Sequence, residues 1–235
     1  MNRFFTGKSR SENTVKNRIV IAVLCCALMA AFLCACGKTP AEKTGAPSPE
    51  ISESEGESTT AAVAELIGQL DDLQNIDEST FVRNALNADA FATVLASDDK
   101  TVRLRSDKAE NVVIPEGDYT GKTIVFEAAG SSVVSNGNLG TVIVEAIGEE
   151  GLTLNGSVET LAVYGENTTV NLNGGAGTLY ARGKNCVFRL TGGTYGKIIS
   201  VNQTVIIENQ TENDVTVYMA NGAPQVLAAG ETLQF

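Results

Sequence analysis

The sequence predicts an all-β fold, a parallel β-solenoid (β-helix) of six to seven rungs over residues 101–235, with a helical cap over residues 61–100 that closes its N-terminal end. Three observations predict this fold. Apolar pairs recur about every 19 residues, Asn-Gly dipeptides return in phase between them, and 18 of the 23 glycines lie after residue 100. Short strands separated by such corners are typical of a coil stacked rung on rung. The alternative architecture is an antiparallel sandwich.

Composition excludes several function classes. The 235 residues include 17 Lys and Arg, 28 Asp and Glu, and no His, and the formal net charge is −11. Without histidine, neither a Ser-His-Asp triad nor a Cys-His pair can form, and imidazole cannot serve as a metal ligand. An acidic chain with a pI near 4.5 is also unsuited to nucleic acid, because phosphate binding needs clustered basic residues. We expect no cofactor, no metal site and no catalytic residue.

The first 35 residues have the organisation of an export signal. Residues 1–18 carry five basic residues and one acidic residue, and an uninterrupted apolar run then extends from Ile19 to Leu33. Fifteen helical residues rise about 22 Å, whereas a membrane-spanning helix must cross about 30 Å of hydrocarbon. The segment is therefore predicted to be a signal peptide and not a permanent membrane span.

The apolar run ends in Leu33-Cys34-Ala35-Cys36-Gly37, which resembles the lipobox of bacterial lipoproteins. Leucine three residues before Cys36 and a small residue directly before it match that family, whereas Cys34 stands where Ala, Ser, Thr or Val is more usual. The resemblance implies cleavage after Ala35 and acylation of Cys36, with palmitate among the acyl chains. Two or more chains would anchor the exported protein stably to the outer leaflet of the bacterial cell membrane.

A tether and a helical region follow the lipidated cysteine. Residues 36–60 are rich in Pro, Ser, Thr and Glu and have no aromatic residue, which predicts a disordered tether. Apolar residues at helical spacing then predict an amphipathic helix with Thr59 or Thr60 as its N-cap. We expect a second short helix from about Phe81 to Leu86, and a third with Asn87 as N-cap. The apolar stripe of the first helix comprises Val63, Leu66, Ile67, Leu70 and Leu73.

Each rung of the predicted solenoid contributes two strands with inward apolar pairs and one further apolar position. The first strands carry Val102/Leu104, Ile124/Phe126, Val142/Val144, Leu161/Val163, Leu179/Ala181, Ile198/Ser200 and Val215/Val217. The second strands carry Leu152/Leu154, Val170/Leu172, Phe188/Leu190 and Val205/Ile207, and the single positions are Leu139, Val158, Ala176 and Tyr195. Corner positions are Asn136, Asn155, Asn173, Thr191 and Asn209. Cys186 falls in phase with the inward residues, so we expect a buried, unreactive thiol.

The repeat pattern from Asn111 to Gly130 resembles β-helical repeats in large surface proteins of Gram-positive gut bacteria. This resemblance covers roughly half of the chain. It implies a parallel β-helix at the cell surface and brings no assigned activity.

The outward positions of the first strands are unusually apolar and carry three of the five tyrosines. Such a patch is typical of a contact surface. One interpretation is a platform on which Tyr164, Tyr180 and Tyr218 stack on sugar rings or on a protein. In it, Arg182, Glu127 and Glu145 would supply hydrogen bonds. The other interpretation is that the helix around Leu70 packs over part of this face and hides it.

Three functions remain open. The favoured one is a non-catalytic, membrane-anchored surface lipoprotein that binds polysaccharide or an envelope protein. The second is a β-helical glycosidase or lyase in which Glu127 and Glu145 stack about 5 Å apart on successive rungs, near the separation of a retaining carboxylate pair. The third is a purely structural protein whose rungs pair end to end.

Overall fold

A computed structural model describes residues 54–76 and 82–235. The predicted signal peptide, Cys36 and the tether up to residue 53 lie outside the described residues. Two helices are present among the described residues, α1 (Ser54–Asp72) and α2 (Ala88–Leu95). The strands, in chain order, are β1 (Val82–Ala85), β2 (Thr101–Arg105), β3 (Asn111–Ile114), β4 (Asp118–Ala128), β5 (Ser132–Ser135), β6 (Asn138–Ile147), β7 (Leu152–Leu154), β8 (Val158–Val163), β9 (Thr169–Leu172), β10 (Gly175–Ala181), β11 (Val187–Leu190), β12 (Thr194–Ser200), β13 (Ile206–Asn209), β14 (Val215–Met219), β15 (Pro224–Leu227) and β16 (Thr232–Gln234).

The strands form a parallel β-solenoid of about seven turns, which confirms the predicted fold class. Sheet A has the order β1-β2-β4-β6-β8-β10-β12-β14-β15, and sheet B has the order β16-β13-β11-β9-β7-β5-β3. Within each sheet, neighbouring parallel strands are one turn apart in the chain, and only β15 and β16 at the C-terminal end depart from this order. The chain therefore alternates between the sheets, and each turn adds one parallel strand to both of them.

Inward residues of both sheets form one continuous apolar core. Phe126 lies beside Val144 in the parallel register of β4 and β6, and Phe188 lies beside Val170 in that of β11 and β9. These side chains have essentially no exposed surface. Stacking like residues on like residues removes apolar surface from water at each turn, and this burial is the main force that holds the coil together.

One corner of the coil carries a ladder of side-chain hydrogen bonds, as the in-phase asparagines predict. Asn155 Nδ2 donates to Asn136 Oδ1 at 2.7 Å, and Asn173 Nδ2 donates to Asn155 Oδ1 at 2.6 Å. The hydroxyl of Thr191 continues the ladder by donating to Asn173 Oδ1. Each side chain thus satisfies the next, and the ladder fixes the register between turns at the surface.

The last turn departs from the predicted alignment. Ile198 pairs with Val217 and not with Val215, so the first-strand spacing is 19 residues here as well. In sheet B, Asn209 pairs with Leu190 and is fully buried, so its assignment to a corner was wrong. Gln210 takes the corner position, because its amide donates to the carbonyl of Leu190.

The two ends of the solenoid are closed differently. At the N-terminal end, α2 buries Phe91 and Leu95 in the core, and the Phe91 ring lies 5.8 Å from that of Phe126. Asn87 is its N-cap, as predicted, and accepts a hydrogen bond from the amide of Ala90. At the C-terminal end, β15 pairs antiparallel with β14, and β16 pairs antiparallel with β13. These reversals end the parallel stacking.

Two predictions for the region before the solenoid were wrong. The expected helix at residues 81–86 is the strand β1, which pairs in parallel with β2 and buries Ala85. Pairing with a sheet edge satisfies backbone groups that a short isolated helix would leave exposed. Helix α1 begins at Ser54, before the predicted N-cap, and it does not close the end of the coil.

Candidate functional site

Helix α1 lies across the outer face of sheet A. Leu70 packs against Ala162, Tyr180 and Ile199, which are consecutive outward residues of β8, β10 and β12. Near its other end, Thr60 lies against Gly222, in the turn between β14 and β15. The helix therefore runs along the axis of the coil, and the interpretation in which it covers part of this face is confirmed. Partly buried side chains complete the contact: Leu66, Ile67, Leu73, Tyr164, Val201 and Tyr218.

Asp71 joins the helix to two of the predicted site residues. Its Oδ1 atom accepts hydrogen bonds from the Tyr180 hydroxyl and from Nη1 of Arg182, both at 2.5 Å. Arg182 Nη1 also lies 3.3 Å from the Tyr180 hydroxyl oxygen. Burial, together with the hydrogen bond to Asp71, raises the pKa of Tyr180 to about 12. The tyrosine is thus a buried, neutral donor to a carboxylate and has no ring surface open to a ligand.

Tyr164 is held in a similar way. Its hydroxyl donates to the main-chain carbonyl of Leu70, and its ring meets that of Tyr180 edge to face with 6.0 Å between centroids. Burial raises the pKa of Tyr164 well above its usual range. The hydroxyl therefore fastens the helix, while part of the side chain remains at the surface.

Tyr218 lies in the same outward column of sheet A as Tyr180. The register of β12 and β14 places it beside Ile199. It is partly buried against the cluster under α1. The three tyrosines thus belong to the surface against which helix α1 packs, and together they do not form an open stacking platform.

The two predicted carboxylates are not stacked. A register shift between β4 and β6 pairs Glu127 with Ala146, so Glu145 lies in the irregular part of its strand. Glu127 accepts a hydrogen bond from Arg105 Nε at 2.8 Å and is part of an exposed ion pair. The expected spacing of about 5 Å assumed a regular ladder. The bulge breaks the regular register from which the spacing of a retaining glycosidase pair was expected.

The structure instead brings Tyr164 and Arg182 together at the rim of an open cleft. Strands β8, β10 and β12 are parallel neighbours, so the residues that follow them gather at one edge of sheet A. The amide of Arg182 donates to the carbonyl of Val163, and the amide of Val201 donates to that of Ala181, which continues the rung spacing past the strand ends. The cleft has a volume of about 410 Å³.

The cleft combines an aromatic ring with amide, carboxylate, guanidinium and ammonium groups. Its lining residues are Gln74, Tyr164, Glu166, Arg182, Gly183, Lys184, Val201 and Asn202. Lys184 Nζ lies 3.7 Å from Glu166 Oε1, and both side chains are more than half exposed. The Oδ1 atom of Asn202 accepts from the amide of Thr204 at 3.2 Å. The lining has two cations, Arg182 and Lys184, and one anion, Glu166, and Asp71 beside the cleft pairs with Arg182.

Sequence reasoning found two of the cleft residues and missed the others. Lys184 and Asn202 lie in the turns that follow β10 and β12, outside the strand positions from which outward residues were predicted. Gln74 lines the cleft and follows helix α1. Asp71, which binds Arg182, lies in the last turn of that helix. Asp71 directly follows Leu70 of the apolar stripe, so a charge at the border of a packing face was the available signal.

Two other kinds of feature are absent from residues 54–76 and 82–235. This part of the chain contains no group of three or more His, Cys, Asp or Glu residues arranged to hold a metal ion. Nor does it contain a helix long and apolar enough to cross a membrane. Cys186 is buried, as predicted, and its thiol lies 3.1 Å from the carbonyl oxygen of Gly165.

The fold and the cleft define a small β-solenoid with a helix across one face and an open polar cleft beside that helix. Comparison with models of protein families, with curated proteins and with solved structures finds no match for this chain. The function is therefore argued from the residues alone.

Proposed function

We propose that this protein is an exported, lipid-anchored surface lipoprotein that binds a glycan in the cleft beside α1 and does not act on it chemically. The observation that carries the proposal is the lining of the cleft, in which Tyr164 lies among amide, carboxylate, guanidinium and ammonium groups. An aromatic ring offers an apolar surface to the C–H face of a sugar, and the polar groups match its hydroxyls.

The near balance of charge in the cleft favours a neutral sugar. Arg182 is paired with Asp71, and Lys184 faces Glu166, so each cation is partly neutralised and attracts an anionic ligand less strongly than an unpaired cation would. A hydroxyl group can instead donate to a carboxylate and accept from a cation without separating the pairs. Openness to solvent also suits one unit of a longer polymer, because the chain can continue out of the cleft on both sides.

The positions of Glu127 and Glu145 support glycan binding without catalysis. Hydrolysis by a retaining mechanism needs two carboxyl groups that flank the bond to be broken. Glu127 is engaged by Arg105, and the bulge at Glu145 separates the two in register. Neither residue lines the cleft.

Anchoring rests on residues 33–37. Metabolic labelling with an alkyne analogue of palmitate tests it. We expect this protein to carry the label in the membrane fraction, to lose it in Cys36→Ala and to keep it in Cys34→Ala. Equal labelling of the Cys36→Ala protein would refute lipidation at that residue.

Binding is tested on a panel of bacterial and host polysaccharides with the detergent-solubilised protein. The double variant Lys184→Ala/Glu166→Ala removes two exposed groups of the cleft without changing net charge, and exposed pairs contribute little to stability. The matched control is Arg105→Ala/Glu127→Ala, another exposed pair that lies outside the cleft. We expect the Kd for a bound polymer to rise at least about tenfold in the first variant only. No binding by the unaltered protein, or equal loss in both variants, would contradict the proposal.

A further inference from the structure

Helix α1 is attached to the solenoid through a contact that is separate from the main core. The inward residues of the solenoid form one cluster, and the residues under the helix form a second, smaller one centred on Leu70, Ala162, Tyr180 and Ile199. Of these four, only Leu70 comes from the helix. Removal of α1 would thus leave the inward cluster intact.

At its C-terminal end, the helix is joined to the solenoid by three hydrogen bonds. Tyr164 donates to the carbonyl of Leu70, and Asp71 accepts from Tyr180 and Arg182. The side chains of Asp71 and Arg182 are 37% and 44% exposed, so water competes for this pair. A partly exposed ion pair and an apolar cluster separate from the main core are features of a segment that opens locally, well before global unfolding.

The same end of the helix helps to build the cleft. Gln74, which follows the last turn of α1, lines the cleft, and Tyr164 and Arg182 both line it and bind the helix. Docking of α1 therefore sets the positions of at least two cleft side chains. If the helix moved away, Gln74 would leave and Tyr164 and Arg182 would lose the bonds that orient them.

We propose that α1 is a releasable clasp: it undocks as a unit while the solenoid stays folded, and the cleft is complete only in the docked state. Undocking exposes Tyr180 and Tyr218, which share one outward column of sheet A. A ligand of the cleft stabilises the docked helix. This last step rests on the proposed function. A ligand that binds only one of two states shifts the equilibrium toward it, and the coupling is reciprocal.

Undocking is tested first without any ligand, by hydrogen–deuterium exchange of the full chain followed by mass spectrometry. We expect the amides of α1 to exchange at least about tenfold faster than those of β8, β10 and β12. Asp71→Asn weakens the charge-assisted bonds from Tyr180 and Arg182 and should speed exchange in α1 about tenfold, with no change in the strands. Asp72→Asn, an exposed neighbour with the same change of charge, is the control and should change neither.

Three results would overturn the clasp. They are exchange of α1 as slow as that of the strands, acceleration of helix and strands together in Asp71→Asn, and equal effects of Asp71→Asn and Asp72→Asn. The ligand step is tested separately, by repeating the exchange with a polysaccharide that binds in the panel. We expect the helix amides to be slowed, and binding that leaves their exchange unchanged would refute the coupling. Absence of any binding polysaccharide would refute the proposed function and leave the undocking result standing.

Discussion

Asn209 lies directly beside Leu190 in the parallel register of sheet B, with its side chain inside the solenoid. Its Nδ2 atom lies 2.9 Å from the carbonyl oxygen of Asn213, 3.1 Å from that of Leu227 and 3.0 Å from that of Ala228. Its Oδ1 atom accepts from the amide and the hydroxyl of Thr211. A polar side chain at an apolar position thus satisfies the backbone where the last turn folds back on itself.

We therefore expect Asn209→Leu to destabilise the protein although it restores the apolar pattern of the repeat. It would leave buried carbonyls without donors, at a cost of about 2 kcal/mol or more in the free energy of unfolding. Guanidinium denaturation measures the change. Gln210→Leu, at the neighbouring exposed corner, is the control and should cost less than about 0.5 kcal/mol. A gain in stability from Asn209→Leu would contradict the role given to this side chain.

Asn209 also shows how far the sequence can predict this fold. The repeat, the inward pairs of the regular turns and the corner asparagines could be predicted, because a fixed period imposes the same environment on each turn. The period stops being informative where the chain changes direction, and there an asparagine was read as a corner residue. At the end of a strand, the repeat pattern alone does not distinguish a polar side chain that points into the coil, such as Asn209, from one that points outward at a corner.

Only part of the candidate site could be predicted, and the reason differs from that for Asn209. Arg182 and Tyr164 could be found from the repeat, since both extend outward strand positions. Their partners Leu70 and Asp71 are about one hundred residues earlier in the chain, and only the docked position of α1 brings the four together. Amphipathicity predicted that the helix needs a partner surface, but it contains no information on which turns of the coil the helix covers.

The glycines at the corners and in the helix should respond oppositely to alanine. Gly193 has φ of +76°, and a Cβ atom there would meet the backbone of Gly174 one turn earlier. Gly193→Ala should therefore cost more than about 2 kcal/mol. Gly68 is exposed within α1 and has open space around it, so Gly68→Ala should stabilise the helix by about 0.5–1 kcal/mol.

Denaturation measures the first change, and slower amide exchange in α1 measures the second, because the helix is proposed to open on its own. Destabilisation by both substitutions would show that Gly68 is also needed for close packing. Tolerance of Gly193→Ala would show that the corner can change its backbone conformation.

Stability at high pH should depend on the buried tyrosine. The folded-state pKa of Tyr180 is raised to about 12, whereas an unfolded tyrosine titrates near 10. The unfolded state therefore loses this proton first, and the contribution of Tyr180 to stability is complete below pH 10 and falls as the pH rises from about 10 toward 12. Denaturation at several pH values, with tyrosinate absorbance followed in parallel, measures this effect.

Tyr180→Phe should make that fall in stability less steep without abolishing it, because burial also raises the pKa of Tyr164 and Tyr195. It should also lower stability at neutral pH by about 1 kcal/mol, because Asp71 loses a donor. The same slope between pH 10 and 12 in Tyr180→Phe and in the unaltered protein would exclude this tyrosine as a source of the pH dependence.

Reaction of Cys186 with a thiol reagent should report on opening of the solenoid and not of the helix. The thiol is buried near the carbonyl of Gly165, and burial raises its pKa, so the reactive thiolate is rare at neutral pH. We expect alkylation of the Cys186 peptide, followed by mass spectrometry, to be equally slow in the unaltered protein and in Asp71→Asn, since the clasp opens without disturbing β11. Asn209→Leu destabilises the coil and should speed it. Faster alkylation in Asp71→Asn would mean that helix and coil open together.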